Sequence, residues 1–585
     1  MCNWFHAARS TGRRVFAAAT AAVLAVSLVA CGGGGTLPEA VSTLDRRALP
    51  ADFTTRMAVN YSPFREATNV GELGVEVFTR AEIEQDLRLV EAAGFGIIRL
   101  FSSRAFGDLV LSVIREEGLD LKVMLGAFVD NPAVRSTAEA DNQAELAETV
   151  RLANLYSDIV SAVSVGNETM VYWSTLAIPP ETMARYISQV RAAVPQPVTT
   201  NDNWAFWAAA PNNVLSLVDF AAVHTYPLLD TFYDRSLWDW RQKTVPEDQR
   251  ADAMMDAAIE EAKVQVGQAR AYLDRAGLDE LPMIVGETGW TAVDTPGGPT
   301  LQLRAGRVNQ KMYFDRLQAW VAEGRTGSGP VAIFYFQAFD EQWKQGDDGW
   351  GLFNRDRQAR YVLHGGGSCP AGFTSGCEAL PSTDNVAQMW TPPVPGDPVT
   401  TPTFELFGDT LASGIRFDAF DGSTAVASSV ADPAPGEGAQ SLRITPTPAS
   451  YGWGLVFSSP GFEADPSTPR TTTNLEQFAS GALTFWVRTD GYPGRIRVGI
   501  STDDDDRDGQ SAAVVLQNGQ YGYCNTNAWC QVTIPLSAFV AANPLLELDV
   551  VFNKFVISDI FVENGKPSGT TGLPPIFVDG VRWVR

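Results

Sequence analysis

The chain has 585 residues, and its 44 lysines and arginines against 68 aspartates and glutamates give a formal net charge of −24. That length exceeds one ordinary domain, so we expect two or three folding units. The acidic balance disfavours nucleic acid and anionic lipid as partners, because both favour basic surfaces, and it suits a soluble protein acting on a neutral polymer. The protein is expected to be monomeric.

Residues 1–30 have the pattern of an export signal: arginines near the start, then an apolar run at 15–29 that is too short to span a membrane comfortably. The sequence Leu-Val-Ala-Cys that ends at Cys31 resembles the lipobox of bacterial lipoproteins, and four glycines follow it. The resemblance implies a lipid-modified Cys31, a flexible tether over 31–53, and an exported protein held at the outer membrane or cell surface only by that lipid. An ordinary signal peptide with an incidental cysteine is the alternative.

Residues 54–365 alternate short apolar strands with amphipathic helical patterns. Eight strands are predicted, at 56–60, 97–101, 121–126, 160–165, 197–200, 219–224, 282–286 and 331–337. Eight strands with interleaved helices predict an α/β fold of the (β/α)8 TIM barrel type, whose usual size is ~250 residues plus insertions. A doubly wound sheet is the rival, but the first strand is not followed by a glycine-rich phosphate turn.

Two glutamates, Glu168 and Glu287, stand at the ends of the fourth and seventh predicted strands. Active residues of such barrels lie at the C-terminal ends of the strands, and paired carboxylates are the chemistry of glycoside cleavage. Taken alone, Glu287 has another explanation, a salt-bridged acid at a strand end. The other polar and aromatic residues that the pattern assigns to this rim are Tyr61, Arg99, Phe101, Asn167, Asn201, Trp204, His224, Tyr226, Trp290, Phe339, Glu341 and Trp343.

Three motifs in chain order carry a family resemblance: SVGNE at 164–168, IVGETGW at 284–290 and FDEQWKQGDDGWGLF at 339–353. With them the chain resembles glycoside hydrolase family 17, the endo-β-1,3-glucanases, within the large clan of retaining (β/α)8 glycosidases. The resemblance implies that Glu168 is the acid/base and Glu287 the nucleophile of a double displacement that needs no cofactor.

The resemblance also implies substrate-binding roles for neighbouring residues. Asn167 would bond the sugar 2-hydroxyl, Tyr226 would hydrogen-bond the nucleophile, and Glu341 and Lys344 would line the site. His224 stands where the family often has asparagine. It is expected to bind sugar hydroxyls, to tune the acid/base, or to be only a hydrogen-bonded rim residue. Five tryptophans near the rim are predicted to include sugar-stacking platforms, with burial under loops as the alternative for each: Trp173, Trp204, Trp207, Trp290 and Trp343.

The predicted partner is therefore a β-1,3-glucan polysaccharide or oligosaccharide. Two alternatives to an endo-acting hydrolase stay open. A β-1,3-glucanosyltransferase would use the same catalytic pair, because a glycosyl-enzyme can pass to a sugar instead of water. A non-catalytic, glycan-binding surface lipoprotein could keep the barrel as a scaffold, although the presence of both glutamates disfavours it.

Residues 366–403 are rich in glycine, proline and threonine and are predicted to be a linker, and residues 404–585 lose helical periodicity. Short alternating strands separated by turn residues predict an antiparallel β-sandwich, architecturally similar to galactose-binding-like domains. Two close cysteine pairs, Cys369 with Cys377 and Cys524 with Cys530, predict disulfides in an exported protein; zinc is the alternative, but the spacings do not favour it.

The sandwich is expected to be an accessory domain that helps the barrel engage polymer. Its candidate sugar platforms are Tyr451, Trp453, Tyr521, Tyr523 and Trp529, whereas Trp486 is assigned to the core. The acidic run at 503–509 has part of a calcium-loop spacing, but an acidic solvated turn is favoured. A structural calcium elsewhere in the sandwich is the only expected ion, with Asp418 and Asp579 as candidate ligands.

Overall fold

The computed structural model describes two compact units, a barrel and a sandwich. The described residues are 45–294, 301, 303–327, 329–379, 395–419, 424–447, 452–459, 472–502, 510–560 and 572–585. The predicted export signal, Cys31, Tyr451 and the acidic run at 503–509 lie outside them.

Eight parallel strands form a closed barrel and follow one another in chain order. They are β1 (Met57–Asn60), β2 (Phe95–Arg99), β3 (Lys122–Ala127), β4 (Val160–Asn167), β5 (Val198–Asn203), β6 (Ala221–His224), β7 (Met283–Thr288) and β8 (Ile333–Tyr335). Pairing of Ala58 in β1 with Phe334 in β8 closes the cylinder. Each predicted strand overlaps an observed one, so the TIM barrel prediction is confirmed.

Helices connect and cover the strands. They are α1 (Asp52–Thr55), α2 (Arg80–Ala92), α3 (Ser103–Glu117), α4 (Ala138–Leu155), α5 (Pro180–Ala193), α6 (Trp204–Trp207), α7 (Asn212–Leu215), α8 (Pro227–Tyr233), α9 (Arg250–Arg275), α10 (Arg307–Gly324) and α11 (Tyr361–His364). Local sequence explains their ends: Thr79 and Glu82 form a reciprocal capping box at the start of α2, and Gly118 ends α3 in the left-handed conformation.

The two ends of the barrel differ in chemistry. At the N-terminal end, Phe53 of α1 packs against Phe220 and Phe334, with ring centroids 6.1 and 6.0 Å apart, and it belongs to a dry cluster of buried side chains. At the C-terminal end the strands instead finish in buried polar residues, which include Asn60, Arg99, Asn167, Asn201, His224 and Glu287. Buried polar groups are costly unless they are paired, so this concentration marks the C-terminal mouth as the site.

The C-terminal unit consists of two antiparallel sheets. Its strands are β9 (Thr403–Phe407), β10 (Arg416–Ala419), β11 (Thr424–Val430), β12 (Ser441–Thr447), β13 (Gly452–Ser458), β14 (Ala482–Arg488), β15 (Arg497–Thr502), β16 (Ser511–Val515), β17 (Cys530–Pro535), β18 (Val551–Ile560) and β19 (Ile576–Val584). A single short α-helix, α12 (Leu536–Ala542), lies within the described part of this unit. One sheet has the order β10-β13-β18-β15-β16, and the other has β11-β12-β19-β14-β17 with β9 also paired to β19. The predicted sandwich is confirmed.

Three aromatic assignments in the sandwich are wrong. Trp453 is fully buried, and its Nε1–H donates to the Tyr492 hydroxyl at 2.7 Å, so it belongs to the core rather than to a sugar platform. Tyr523 is also nearly buried. Trp486 is half-buried, and its Nε1–H donates to Glu437 at 3.2 Å. It lies outside the core because its neighbours Phe485 and Val487 occupy the inward-facing positions of β14. Tyr521 and Trp529 are half-buried.

The remaining sandwich predictions concern covalent and metal bonds. Disulfides join Cys369 to Cys377 and Cys524 to Cys530, as predicted. Asp418 and Asp579 lie in strands of different sheets, and both oxygens of Asp579 accept backbone N–H groups. Among the described residues, histidine, cysteine, aspartate and glutamate form no group of three or more that could hold a metal ion. No helix in the described ranges combines the length and apolar character needed to cross a membrane.

Candidate active site at the mouth of the barrel

Glu287, in the C-terminal half of β7, is held by hydrogen bonds on both carboxylate oxygens. The Arg99 guanidinium donates to Oε1 at 2.6 Å, and the Tyr226 hydroxyl donates to Oε2 at 2.7 Å. Burial would raise the pKa of this carboxyl, but attraction to His224 and Arg99 and the hydrogen bonds from Tyr226 and Arg99 outweigh burial and hold its pKa below the ordinary value. Glu287 is therefore an oriented carboxylate that stays ionised.

Glu168 directly follows β4 and has a different environment. Its backbone has a positive φ of 48°, and its N–H donates to the carbonyl of Asn201 at 2.9 Å. Its side chain is 33% exposed, against 7% for Glu287, so water reaches it more easily. The two glutamates thus lie at the same mouth of the barrel, but they differ in their exposure to water and in the hydrogen bonds that their carboxyl groups receive.

His224, the last residue of β6, lies between the two carboxylates. Its fully buried ring has Nδ1 at 3.0 Å from Glu168 Oε1 and Nε2 at 3.7 Å from Glu287 Oε1. Nε2 has no hydrogen-bond partner among the described residues. The ring therefore lies between the two acids, and the three roles expected for His224 from the sequence stay predictions.

Arg99, at the end of β2, connects several strands of the mouth. One of its nitrogens donates to Glu287, another donates to the Asn167 side-chain oxygen, and its guanidinium lies over the Phe101 ring with 4.7 Å between carbon and centroid. The short distances leave little space: a Cβ on Gly286 would lie 2.0 Å from the Asn201 side-chain oxygen, so only glycine fits there. Arg99, Asn167 and Phe101 are thus brought together with Glu287, as the strand-end pattern predicts.

Asp202 in β5 is a site residue that the sequence analysis missed. It is fully buried, and its carboxylate accepts the backbone N–H of Met170 at 2.7 Å and of Asn203 at 2.8 Å. Burial, and then the negative charge of Glu168, raise the pKa of Asp202 well above its ordinary value. It anchors the chain just after Glu168. An available signal was a second polar residue next to Asn201 at a strand end.

Glu341 and Lys344 form a buried ion pair with 2.7 Å between Oε2 and Nζ. Trp343 donates its indole N–H to the same carboxylate at 3.1 Å. Burial favours the neutral form of Glu341, but the Lys344 charge and hydrogen bond outweigh it and keep the pKa of Glu341 below its usual value. Lys344 Nζ also lies 4.1 Å from the centroid of Phe336, whose ring packs edge-on against Tyr226. Through its contact with Phe336, the ion pair therefore supports the packing around Tyr226.

Two of the predicted substrate contacts are instead packed under the loops. Tyr61 is fully buried and donates its hydroxyl at 3.0 Å to Asp86, a carboxylate that also pairs with Arg65 at 2.8 Å. Phe339 is buried, stacks on Phe353 at 5.1 Å between centroids and lies under the Arg65 guanidinium. The expectation that Tyr61 and Phe339 touch substrate is wrong, because their rings close the fold beneath the mouth.

The rim tryptophans also divide by burial. Trp290 is fully buried and donates its indole N–H to the Arg304 carbonyl at 2.9 Å, so the predicted substrate contact by Trp290 is wrong. Trp207 is likewise buried and donates to a backbone carbonyl of β6, and Trp343 is nearly buried. Trp204 is half-buried. Trp173 alone of the five is exposed, at 48%.

A (β/α)8 barrel with a glutamate at the end of β4 and another at the end of β7, close enough for one histidine ring to approach both, is the arrangement of a glycoside hydrolase. The family comparison agrees with that class. Residues 58–352, half of the chain, match the family model of the BtgE/BtgC glycoside hydrolase domain, and the chain belongs to that family. Residues 411–567 match the model of carbohydrate binding domain 30. Membership of glycoside hydrolase family 17 stays a prediction.

Relatives with assigned activities match between 35% and 53% of this chain. A glucan 1,3-beta-glucosidase of Arthroderma benhamiae is 26% identical over 325 residues, which are 52% of this chain and 93% of that protein. A glucan 1,3-beta-glucosidase of Schizosaccharomyces pombe is 27% identical over 219 residues, 35% of this chain and 58% of that protein. The crystal structure of an endo-laminarinase from Formosa Hel1_33_131 has 25% identity and a TM-score of 0.47, and the match covers 53% of this chain and 85% of that one.

Proposed function

We propose that this protein is a retaining, endo-acting β-1,3-glucan hydrolase with Glu287 as nucleophile and Glu168 as acid/base. The observation that carries the assignment is the difference between the two carboxylates. Glu287 is buried, and Arg99 and Tyr226 hold it ionised and oriented, as a nucleophile requires. Glu168 is partly open to water, as a group that gives and takes a proton in each cycle requires.

The reaction has two steps. In the first, Glu287 attacks the anomeric carbon while the glycosidic bond breaks and Glu168 gives its proton to the leaving oxygen. In the second, Glu168 takes a proton from water, the water oxygen bonds to the anomeric carbon, and the ester to Glu287 breaks. The His224 ring lies close to both acids, so its electrostatic interaction with each of them changes when a step changes the charge of that acid.

Two further residues support substrate binding. Arg99 donates a hydrogen bond to the side-chain oxygen of Asn167 and so orients this amide. The N–H groups of the Asn167 amide can then donate to a sugar hydroxyl beside the reacting carbon. Glu341 and Lys344 support Phe336, the ring that packs against Tyr226. The residues at and after the strand ends thus include the catalytic pair and the side chains that help to bind substrate.

The substrate class is proposed from the relatives. Two of them are named glucan 1,3-beta-glucosidases, and they match 52% and 35% of this chain. The carbohydrate binding domain 30 match supports an accessory sandwich that engages the same polymer. The export signal and the lipid on Cys31 complete the proposal of a surface-anchored enzyme acting on polysaccharide outside the cell.

The test uses the full chain on laminarin and on a soluble β-1,3-gluco-oligosaccharide. Glu287→Gln is nearly isosteric and removes the nucleophilic charge, so turnover should vanish while the circular dichroism spectrum stays that of the folded wild type. Proton NMR of the first product should show the β-anomer before mutarotation. Initial release of the α-anomer would refute retention, and a Glu287→Gln protein with wild-type turnover would refute the nucleophile. Wild-type protein that leaves both β-1,3-glucans uncut would refute the substrate class.

A further inference from the structure

The loop that follows Glu168 presents two aromatic side chains to solvent. Tyr172 is 68% exposed and Trp173 is 48% exposed, and their rings pack edge-to-face with centroids 4.8 Å apart. Adjacent exposed aromatic rings leave a large apolar area in water, an arrangement that is typical of a surface that meets a ligand. The other rim tryptophans are buried or half-buried, which singles out this pair.

The pair is fixed relative to Glu168. Met170 donates its N–H to the buried Asp202 at 2.7 Å, and Ile178 donates its N–H to the Thr169 carbonyl at 2.9 Å, closing the loop at its base. Val171, the residue before the two rings, is buried. Because the base of the loop is tied to β5 directly after the acid/base, the exposed rings have a defined place instead of a mobile one.

The chemistry of Glu168 says which side of the substrate this loop meets. An acid/base protonates the oxygen of the leaving sugar, so it stands on the leaving-group side of the bond that breaks. Trp173 is five residues from Glu168, a separation of at most about 17 Å along extended chain. The ring pair is therefore within reach of the leaving sugar or of the sugars that follow it, where an incoming acceptor sugar also binds.

We infer that Tyr172 and Trp173 form a platform for the glucose rings on the leaving-group side and favour transfer of the glycosyl group to a sugar over transfer to water. This inference rests on the proposed function. In the transfer step, an acceptor hydroxyl oxygen bonds to the anomeric carbon, the ester to Glu287 breaks, and Glu168 takes the hydroxyl proton. The platform raises the local concentration of acceptor by stacking against the apolar faces of its sugar rings.

The experiment measures partition between the two outcomes. Full-length wild type, Trp173→Ala, Trp173→Phe and the Tyr172→Ala/Trp173→Ala double variant are incubated with a β-1,3-gluco-oligosaccharide and increasing laminaribiose as acceptor. Chromatography gives the ratio of chains longer than the input to hydrolysis products. We expect Trp173→Ala to lower that ratio about three- to tenfold relative to the wild type and the double variant to lower it further. Trp173→Phe keeps an aromatic ring and should retain most of the wild-type ratio. Phe417→Ala, which removes an exposed aromatic of the sandwich, is the control and should leave the ratio unchanged.

Three results would overturn the inference. The first is an unchanged ratio in the double variant. The second is a wild type that cleaves the oligosaccharide but forms no longer chains at any acceptor concentration. The third is an equal loss of transfer and hydrolysis in Trp173→Ala with a displaced pH profile, because that pattern means the loop only positions Glu168. A wild type that does not cleave the oligosaccharide refutes the proposed function instead, so the two failures are distinguishable.

Discussion

Replacing Tyr226 by phenylalanine tests the electrostatic account of Glu287 directly. The substitution removes the hydroxyl that donates to Oε2 at 2.7 Å and leaves the Arg99 hydrogen bond to Oε1 in place. A hydrogen bond to a charged group contributes about 1.5–3 kcal/mol, and one pKa unit corresponds to about 1.4 kcal/mol. The pKa of Glu287 should therefore rise by about one to two units in Tyr226→Phe.

The sign of the effect on activity follows from the role of the carboxylate. Glu287 acts when ionised, so the rate falls as pH drops through its pKa, and raising that pKa moves the acid limb of the profile to higher pH. The basic limb reports loss of the acid/base proton. It should move much less, because the Tyr226 hydroxyl bonds to Glu287 and not to Glu168. The assay is kcat/KM for a soluble β-1,3-gluco-oligosaccharide across the pH range.

The matched control is Tyr61→Phe. It also removes a buried tyrosine hydroxyl, but that hydroxyl donates to Asp86, away from the two glutamates. We expect a loss of about 1 kcal/mol in the free energy of unfolding and an unmoved acid limb. An acid limb that stays in place in Tyr226→Phe, or moves equally in both variants, would refute the assignment of Tyr226 as the hydroxyl that holds Glu287 ionised.

Three further outcomes follow from the same contacts. Glu168→Gln should be nearly inactive on β-1,3-glucan yet cleave aryl glycosides with good leaving groups, which need no proton; equal loss on both substrates would contradict the acid role. Lys344→Met leaves the buried Glu341 carboxylate without its cation and should cost about 3–5 kcal/mol in the free energy of unfolding, measured by urea denaturation, and a near-neutral effect would contradict the ion pair. Trp290→Phe should lower the melting temperature without changing the tryptophan quenching by oligosaccharide in a Glu287→Gln background, whereas lost quenching would mean that Trp290 meets sugar after all.

Much of the architecture was predictable because its signals are local. Apolar strands that end at glycine and a carboxylate gave the order of the barrel, and the parallel topology then brings the ends of β4 and β7 to one rim. Glu168 and Glu287 could thus be paired across more than a hundred residues without a structure. In β14, Leu483, Phe485 and Val487 occupy the inward positions of the alternation, so the sequence pattern itself predicts an outward Trp486.

Only the tertiary structure decided which rim side chains face the opening. Trp290 and Trp173 both follow a catalytic strand in sequence, but Trp290 meets the Arg304 carbonyl inside the fold and Trp173 meets solvent. Likewise, the place of His224 between two acids depends on contacts 56 residues or more away along the chain. Past the end of a strand, the regular period of the backbone no longer sets the direction of a side chain. Distant partners then set it, and their arrangement exists only once the barrel has closed.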